Sequence, residues 1–496
     1  MTTRPGPDGI DSVHAPGFTR RQALVRLGSV GGLALASALM AACGGTAAAP
    51  VVPAATTAAT LAPASTRAAS VATAAPAISA TTASATVAAA AKPVSGTVSV
   101  TFWNPLGSQL GDVINGMVKK FNESQQEVVV KADFSGDYYA TQDKLLTGLA
   151  AGQVPDMTIM EIGGIVTFAD NGALLSLDNL INASKDFDIK DFVEPLMLNA
   201  RYKGTTYSLP FNRSTPLFYY NKEMFQATGL NADKAPANWD EVRQAADKLT
   251  KKSGSDVTVY GYAPPLDYWF YASMIWQAGG EIVSTDSKKA LFNEPAGVEA
   301  LTFWNDLVHK DGTTKVPPGE GFNAWNATKA DFIAGKTAML QTSTGDINFL
   351  TTNAKFPVGT GFLPLKKRYG CATGGANVVL FDKSPKDKQQ AAWKFTRWLT
   401  DVPQVEFWSQ NTGYLVSRTS VMSSPTMQAY YQKNPNYKTA VDQLQYVHPT
   451  PQNPGWPKVQ NNLTNLYLQK AVVGGQPIKP TLDALVADAD KSLNGS

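Results

Sequence analysis

Cysteine and histidine are scarce in this 496-residue chain, which has two Cys and three His. The cysteines are Cys43 and Cys371, so a body folded from the residues after Cys43 keeps one thiol and can form no internal disulfide. Only His309 and His448 lie beyond the first 43 residues, which leaves little material for a His-based metal or general-base site. A surplus of one charge is also missing. Residues 1–43 hold four Arg and two acidic residues of the chain's 43 basic and 40 acidic ones, which leaves 39 against 38. A near-neutral body without a basic stripe gives no reason to expect nucleic acid as a partner. No long apolar run follows residue 43, and no internal repeat is visible. The common catalytic motifs are absent too: there is no G-x-S-x-G elbow and no H-E-x-x-H pair. Gly335, Lys336 and Thr337 match the tail of a phosphate loop, but Ala330 stands where its first Gly belongs. A glycosidase-like pair of carboxylates stays open, with Glu161 as one member. No catalytic residue, metal or cofactor is expected.

What is present begins at the N-terminus. Residues 1–18 are polar and rich in Gly and Pro, and Arg20-Arg21 then form a twin-arginine-like pair. Residues 27–42 are a 16-residue uncharged stretch of apolar and small side chains. That is short for a hydrocarbon core of about 30 Å, and the order of charged, apolar and small regions matches an export signal over residues 1–42. Cys43 follows Ala41 and Ala42, as in a lipobox whose thiol is acylated, although Met40 and Ala23 depart from the usual signal patterns. A chance Cys in a secretory signal, or a retained membrane helix, are the alternatives. Residues 44–95 are almost wholly Ala, Thr, Ser, Pro and Val, with Arg67 and Lys92 as the only charges. Such composition forms no defined core and reads as a tether between an acylated Cys43 and a folded body.

Residues 96–496 are too many for one core and suggest two lobes. Val98, Val100 and Phe102 alternate as in a strand, and Val113, Ile114, Met117, Val118 and Phe121 recur at helical spacing. Val128 to Phe134 alternate again, a helix over 139–151 is closed by Gly152, and 157–160 is a short buried strand. This rhythm predicts a largely parallel sheet with helices on both faces, and ligands at the strand ends. Asn104, Tyr138 and Glu161 each follow a strand. The pattern restarts with a strand at 217–220 and helices at 222–228 and 239–249. Helices dominate 269–310, and a strand at 337–341 ends in the turn 342–345.

At this point the stretch 209–222, LPFNRSTPLFYYNK, resembles the family 1 extracellular solute-binding proteins of ABC importers, and most of all their glycerol-3-phosphate-binding members. Six more segments match in order: GDY at 136–138, PDMTIME at 155–161, ANW at 237–239, TSTG at 342–345, GGA at 374–376 and QNTGY at 410–414. The resemblance covers nearly all of residues 97–490. It implies an α/β, periplasmic-binding-protein-like fold, two lobes with mixed, mostly parallel sheets joined by a multi-crossing hinge. Lobe 1 would comprise 96–211 plus 345–400, and lobe 2 would comprise 212–344 plus 401–496. The crossings would lie near 210–214, 341–345 and 399–404. It further implies a monomeric, lipid-anchored receptor outside the cell membrane. That receptor would carry a small polar solute, a glycerophosphodiester or glycerol-3-phosphate, to the permease subunits of an ABC transporter. A sugar or oligosaccharide is the alternative cargo; a surface adhesin or glycan-active enzyme is more distant.

The resemblance also implies site residues. Tyr138, Glu161, Ser214, Ser343, Gly375 and Tyr414 stand where the glycerol-3-phosphate binders contact ligand, and Trp239 where they place an aromatic near choline. Glu161 suits a diol, and Ser214, Ser343 and the Gly375 N–H suit phosphate oxygens. One position departs: in GWPKVQ at 455–460, Gln460 occupies the place of an Arg. Arg213 or Lys458 would then supply the charge, or the ligand is a phosphodiester or uncharged sugar, for which Gln460 and Trp456 suffice.

Overall fold

A computed structural model describes residues 96–317 and 322–495. The export signal, the acylated Cys43 and the tether lie outside the described residues. Strand β1 (Val98–Asn104) buries Val100 and Phe102 completely, as its alternation requires. Helix α1 (Ser108–Ser124) turns Ile114, Met117, Val118 and Phe121 to the same core. Strand β2 (Val128–Phe134) pairs parallel with β1. Helix α2 (Tyr138–Ala151) starts where the Asp137 carboxylate accepts the Ala140 N–H at 2.9 Å, and ends at Gly152 with φ +71°. Strand β3 (Met157–Glu161) is buried along its length until Glu161, which caps helix α3 (Ile162–Asp170).

Two further strands were not visible as strands in the sequence. Strand β4 (Ser208–Ser214) carries Pro210, and β10 (Gly374–Leu380) opens on two glycines. Between them come β5 (Pro216–Asn221), β6 (Lys251–Ser253), β7 (Asp256–Ala263), β8 (Thr337–Ser343) and β9 (Val358–Gly361). The strands form two five-stranded sheets, with orders β2-β1-β3-β10-β4 and β9-β5-β8-β7-β6. Pro210 is tolerated because β4 is an edge strand, and the register slips beside it at Ala376/Asn377. The expectation of mostly parallel sheets is corrected here. β1 pairs parallel with β2 and β3, and β8 with β7; the other five pairings are antiparallel. A strand that enters a sheet from the other lobe has no crossover helix on that sheet to reverse it, so β10 runs against both β3 and β4.

The lobe boundaries also move. Residues 212–214 remain in the first sheet, and the first crossing is Thr215, between β4 and β5. The expected crossing at 341–345 is instead a strand end and turn within lobe 2. The chain stays there through β9, paired to β5, and crosses at Thr373 into β10. The mistake has a structural cause: Thr344 exchanges hydrogen bonds with Thr215, so the turn lies beside a crossing without being one. Helix α8 (Lys386–Leu399) packs on β1, and the next helix, α9 (Val402–Thr412), carries the third passage. There Val405 joins the lobe 2 core and Trp408 the lobe 1 core. These passages touch: Gly374 pairs with Ser214, and the Leu415 N–H donates to the Arg213 carbonyl at 2.9 Å.

Lobe 2 is richer in helices. Helix α4 (Trp239–Leu249) coincides with the expected one and is capped by Asn238. The expected helical region 269–310 resolves into α5 (Tyr268–Gln277) and α6 (Pro295–His309), separated by turns. Helices α7 (Phe322–Ile333), α10 (Trp456–Asn462) and α11 (Ile478–Leu493) complete the elements that matter for the site. Among the described residues, no helix is long and apolar enough to cross a membrane.

Candidate functional site

A cavity of about 480 Å³ opens between the two lobes. It takes its lining from element ends. Tyr138 opens α2, Glu161 ends β3, Ser214 ends β4, and Gly374 and Gly375 open β10. From lobe 2 come Asp267, Tyr268 and Trp269 at the start of α5, Trp325 and Lys329 on α7, Ser343 at the end of β8 and Asp346 just after it, and Gln460 on α10. Tyr414, just after α9, completes the wall. Strand ends supply these groups because the sheets end at the cleft, where side chains can face the other lobe.

Seven of the ten residues named from sequence therefore line one cavity: Tyr138, Glu161, Ser214, Ser343, Gly375, Tyr414 and Gln460. Three do not. Trp239 is 3% exposed, stacks on Phe303 at 4.7 Å and donates its Nε1–H to Gln277 at 2.8 Å. It opens α4 facing α6, so it is a core side chain. Trp456 is fully buried against Tyr268 and Phe292, one turn before Gln460 on the same helix. Arg213 is fully buried as well, because side chains alternate along β4: Asn212 reaches Tyr138, and Arg213 points the other way. Its Nε donates to the Gly374 carbonyl at 2.9 Å, and its Nη1 to Leu196 O at 2.6 Å and Asn377 Oδ1 at 3.3 Å. Lys458 is exposed on α10 and is not among the lining residues.

Sequence reasoning missed the aromatic and acidic groups of lobe 2. Trp269 and Trp325 stack with centroids 5.6 Å apart. Asp267 ties them together, since its carboxylate accepts the Trp269 N–H at 2.8 Å and the Trp325 indole N–H at 3.3 Å. Asp267 to Trp269 follow strand β7 and could have been found by extending the strand-end rule to it. Trp325 and Lys329 lie on a helix with no marking signal. The Lys329 ammonium lies 2.9 Å from Asp346, whose other oxygen accepts the Thr342 hydroxyl at 2.5 Å.

The electrostatics are mixed. Burial pushes the Glu161 carboxyl up to about 7, against the opposing pull of the Gly163 and Gly164 N–H groups and the Arg213 charge. Burial likewise raises Asp267 to about 6. Gly163 is small enough for Glu161 and Gln460 to approach: a Cβ there would lie 2.9 Å from Glu161 Oε2 and 3.1 Å from Gln460 Oε1. Gln460 Oε1 is buried without a hydrogen-bond partner. Gly375 has φ +83°, and a Cβ on it would overlap the Asn212 carbonyl at 2.0 Å, so only glycine fits that wall. Among the described residues, no cluster of three or more His, Cys, Asp or Glu side chains is placed to hold a metal.

Two α/β lobes, three adjacent chain passages and a polar cavity between the lobes define a solute-binding protein of the periplasmic type. The chain belongs to the bacterial extracellular solute-binding protein family, whose model matches residues 116–439, and it is an ABC-transporter solute-binding protein. It is similar to the sn-glycerol-3-phosphate-binding periplasmic protein UgpB of Yersinia enterocolitica, 26% identical over 418 residues, covering 80% of this chain and 92% of the relative. The UgpB of Brucella abortus is 26% identical over 414 residues, covering 79% and 93%. Among solved structures, UgpB from Mycobacterium tuberculosis in complex with glycerophosphocholine is similar with a TM-score of 0.72 and 25% identity, covering 80% of this chain and 99% of that one. The cyclic alpha-maltosyl-1,6-maltose binding protein from Arthrobacter globiformis shares the fold, with a TM-score of 0.69 and 24% identity, covering 81% and 100%.

Proposed function

We propose that this protein is a monomeric receptor, anchored to the outer face of the cell membrane through lipidated Cys43, that captures a glycerophosphodiester and hands it to the permease subunits of an ABC importer. The observation that carries the ligand class is the composition of the interlobe cavity. Glu161 offers acceptors for a glycerol diol. Ser214, Ser343 and the Gly375 backbone are small donors for phosphate oxygens. The Trp269–Trp325 pair with Asp267 forms an aromatic and acidic end suited to a quaternary ammonium, an attraction worth about 0.5–2 kcal/mol. A similar structure holding glycerophosphocholine supports the same class, and relatives named for sn-glycerol-3-phosphate support a glycerol phosphate more broadly. A phosphomonoester dianion fits less well. Lys329 and Asp346 pair with each other, which leaves Glu161 and Asp267 as acidic groups of the cavity without a cation paired to them.

A second reading is a sugar, favoured by the exposed rings of Phe134 and Tyr139 at the cavity lip together with the amides of Asn323, Asn326 and Gln460. Calorimetry on the purified protein with glycerophosphocholine, glycerol-3-phosphate, glycerol and maltose separates the two. Glycerophosphocholine should bind most tightly and be recovered unchanged. Tighter binding of maltose moves the assignment to sugars, and no heat with any of the four removes the receptor reading. Labelled palmitate should enter the wild type and not Cys43→Ala; label in both would exclude this anchor.

A further inference from the structure

The buried Arg213 is an unusual object in this fold. Its guanidinium is fully inaccessible to solvent and faces no carboxylate within ion-pair distance, only the carbonyl oxygens of Gly374 and Leu196 and the Asn377 amide oxygen. Its Nη2 has no hydrogen-bond partner. Glu161 feels its charge only through space and forms no ion pair with it, and at a buried site without a direct counter-ion a hydrophobic side chain of similar volume is often neutral or better. A purely structural role therefore accounts poorly for an arginine here.

Its strongest contact suggests what it does. The Gly374 carbonyl points at Arg213 Nε, and the N–H of a trans peptide points opposite to its own carbonyl. The peptide between Gly374 and Gly375 thus presents its positive end away from the guanidinium, and both glycines line the ligand cavity. Both positions require glycine, since a Cβ on Gly374 would meet the Trp269 ring at 2.4 Å and one on Gly375 the Asn212 carbonyl, so no side chain of either residue stands over this peptide. A cation behind this peptide polarises it and adds a positive potential at the wall, in a setting of low dielectric where charge is felt over several ångströms. Gln460, beside Glu161 in the same cavity, is a neutral side chain with an unpartnered acceptor oxygen.

We propose that Arg213 is the positioning residue that supplies the site's positive charge from behind the wall, acting on a ligand phosphate through the Gly374–Gly375 peptide and doing the work for which Gln460 lacks a charge. The inference rests on the phosphodiester reading above. It also predicts a preference for a monoanion: one recessed charge balances a phosphodiester, while Glu161 and Asp267 oppose a second negative charge and Asp346 is offset by Lys329.

The test uses the full-length protein and glycerophosphocholine as probe, with thermal unfolding as a check on folding. Arg213→Met should raise Kd about tenfold or more, the range expected on losing a charge-assisted contribution. Arg213→Met combined with Gln460→Arg should return Kd to within about threefold of wild type, since a cation is restored at the lining of the same cavity. A structural filler role would not give that rescue. Arg213→Lys, which keeps the charge, should stay within about threefold of wild type and decides the matter if Arg213→Met does not fold. Wild-type affinity in folded Arg213→Met, no rescue in the double variant, or a tenfold loss in Arg213→Lys each overturns the assignment. If the wild type itself does not bind glycerophosphocholine, the functional reading fails and takes this inference with it.

Discussion

Gly345 lets the Tyr414 ring lie directly against its α-carbon: a Cβ on Gly345 would come within 2.8 Å of the ring's Cε2 and Cζ atoms. The two residues join the turn after β8 to the segment after α9, and both line the cavity. The position of the tyrosine hydroxyl in the site therefore depends on the absence of a methyl group elsewhere.

Gly345→Ala should displace that ring. Overpacking of this kind costs about 1–3 kcal/mol, and here it falls on ligand contacts. The expected result is a five- to tenfold or greater rise in Kd, about 1 kcal/mol or more, with thermal stability lowered by only a few degrees. Unchanged affinity by calorimetry would mean that Tyr414 does not touch ligand.

The two classes of tryptophan should separate under substitution. Trp239→Ala removes a core ring stacked on Phe303 and should destabilise the fold by about 3–5 kcal/mol without preference for any ligand. Trp325→Ala removes one face of the aromatic pair and should weaken glycerophosphocholine by about 0.5–2 kcal/mol while sparing glycerol. Equal losses for both ligands in Trp325→Ala would remove the cation–π role.

Glu161 makes the ligand-free protein sensitive to pH. Its carboxyl sits at about 7, against an ordinary 4.5. A raised value means that the protonated form is favoured in the folded, closed cavity. The associated stability is complete below about pH 4.5 and is lost as pH rises through about 7. Asp267, raised to about 6, acts in the same direction. Unfolding temperature should therefore fall between pH 5 and 7.5, and Glu161→Gln should flatten that fall and gain about 1–2 kcal/mol near pH 7.5, a value discounted for the residue's partial solvent contact. An identical slope in Glu161→Gln would assign the pH dependence to other groups.

Much of this architecture was legible locally. The alternation at Val98 to Phe102, the helical spacing at Val113 to Phe121 and the Asn238-capped helix at Trp239 all correspond to observed elements. What escaped was long-range. Strand direction depends on which lobe the chain arrives from, so β10 could not be oriented from its own residues. Pro210 hid an edge strand, and Gly374–Gly375 hid the start of another, because both residue types argue against strand unless their neighbours are known. In the site, the polar residues at strand ends were found by motif, whereas choosing between Trp239 and Trp269 required knowing which indole faces a core and which a cavity.

The three passages between the lobes touch one another at Ser214, Gly374 and Leu415. A body joined to another along one such line has a single angle left to vary. Every contact the ligand makes then acts as a turning moment about that axle, whichever end of the cavity it comes from. On the proposed function, a head group held at Trp325 would tighten the grip on a diol at Glu161, so that affinity and closing angle would be one quantity measured in two ways.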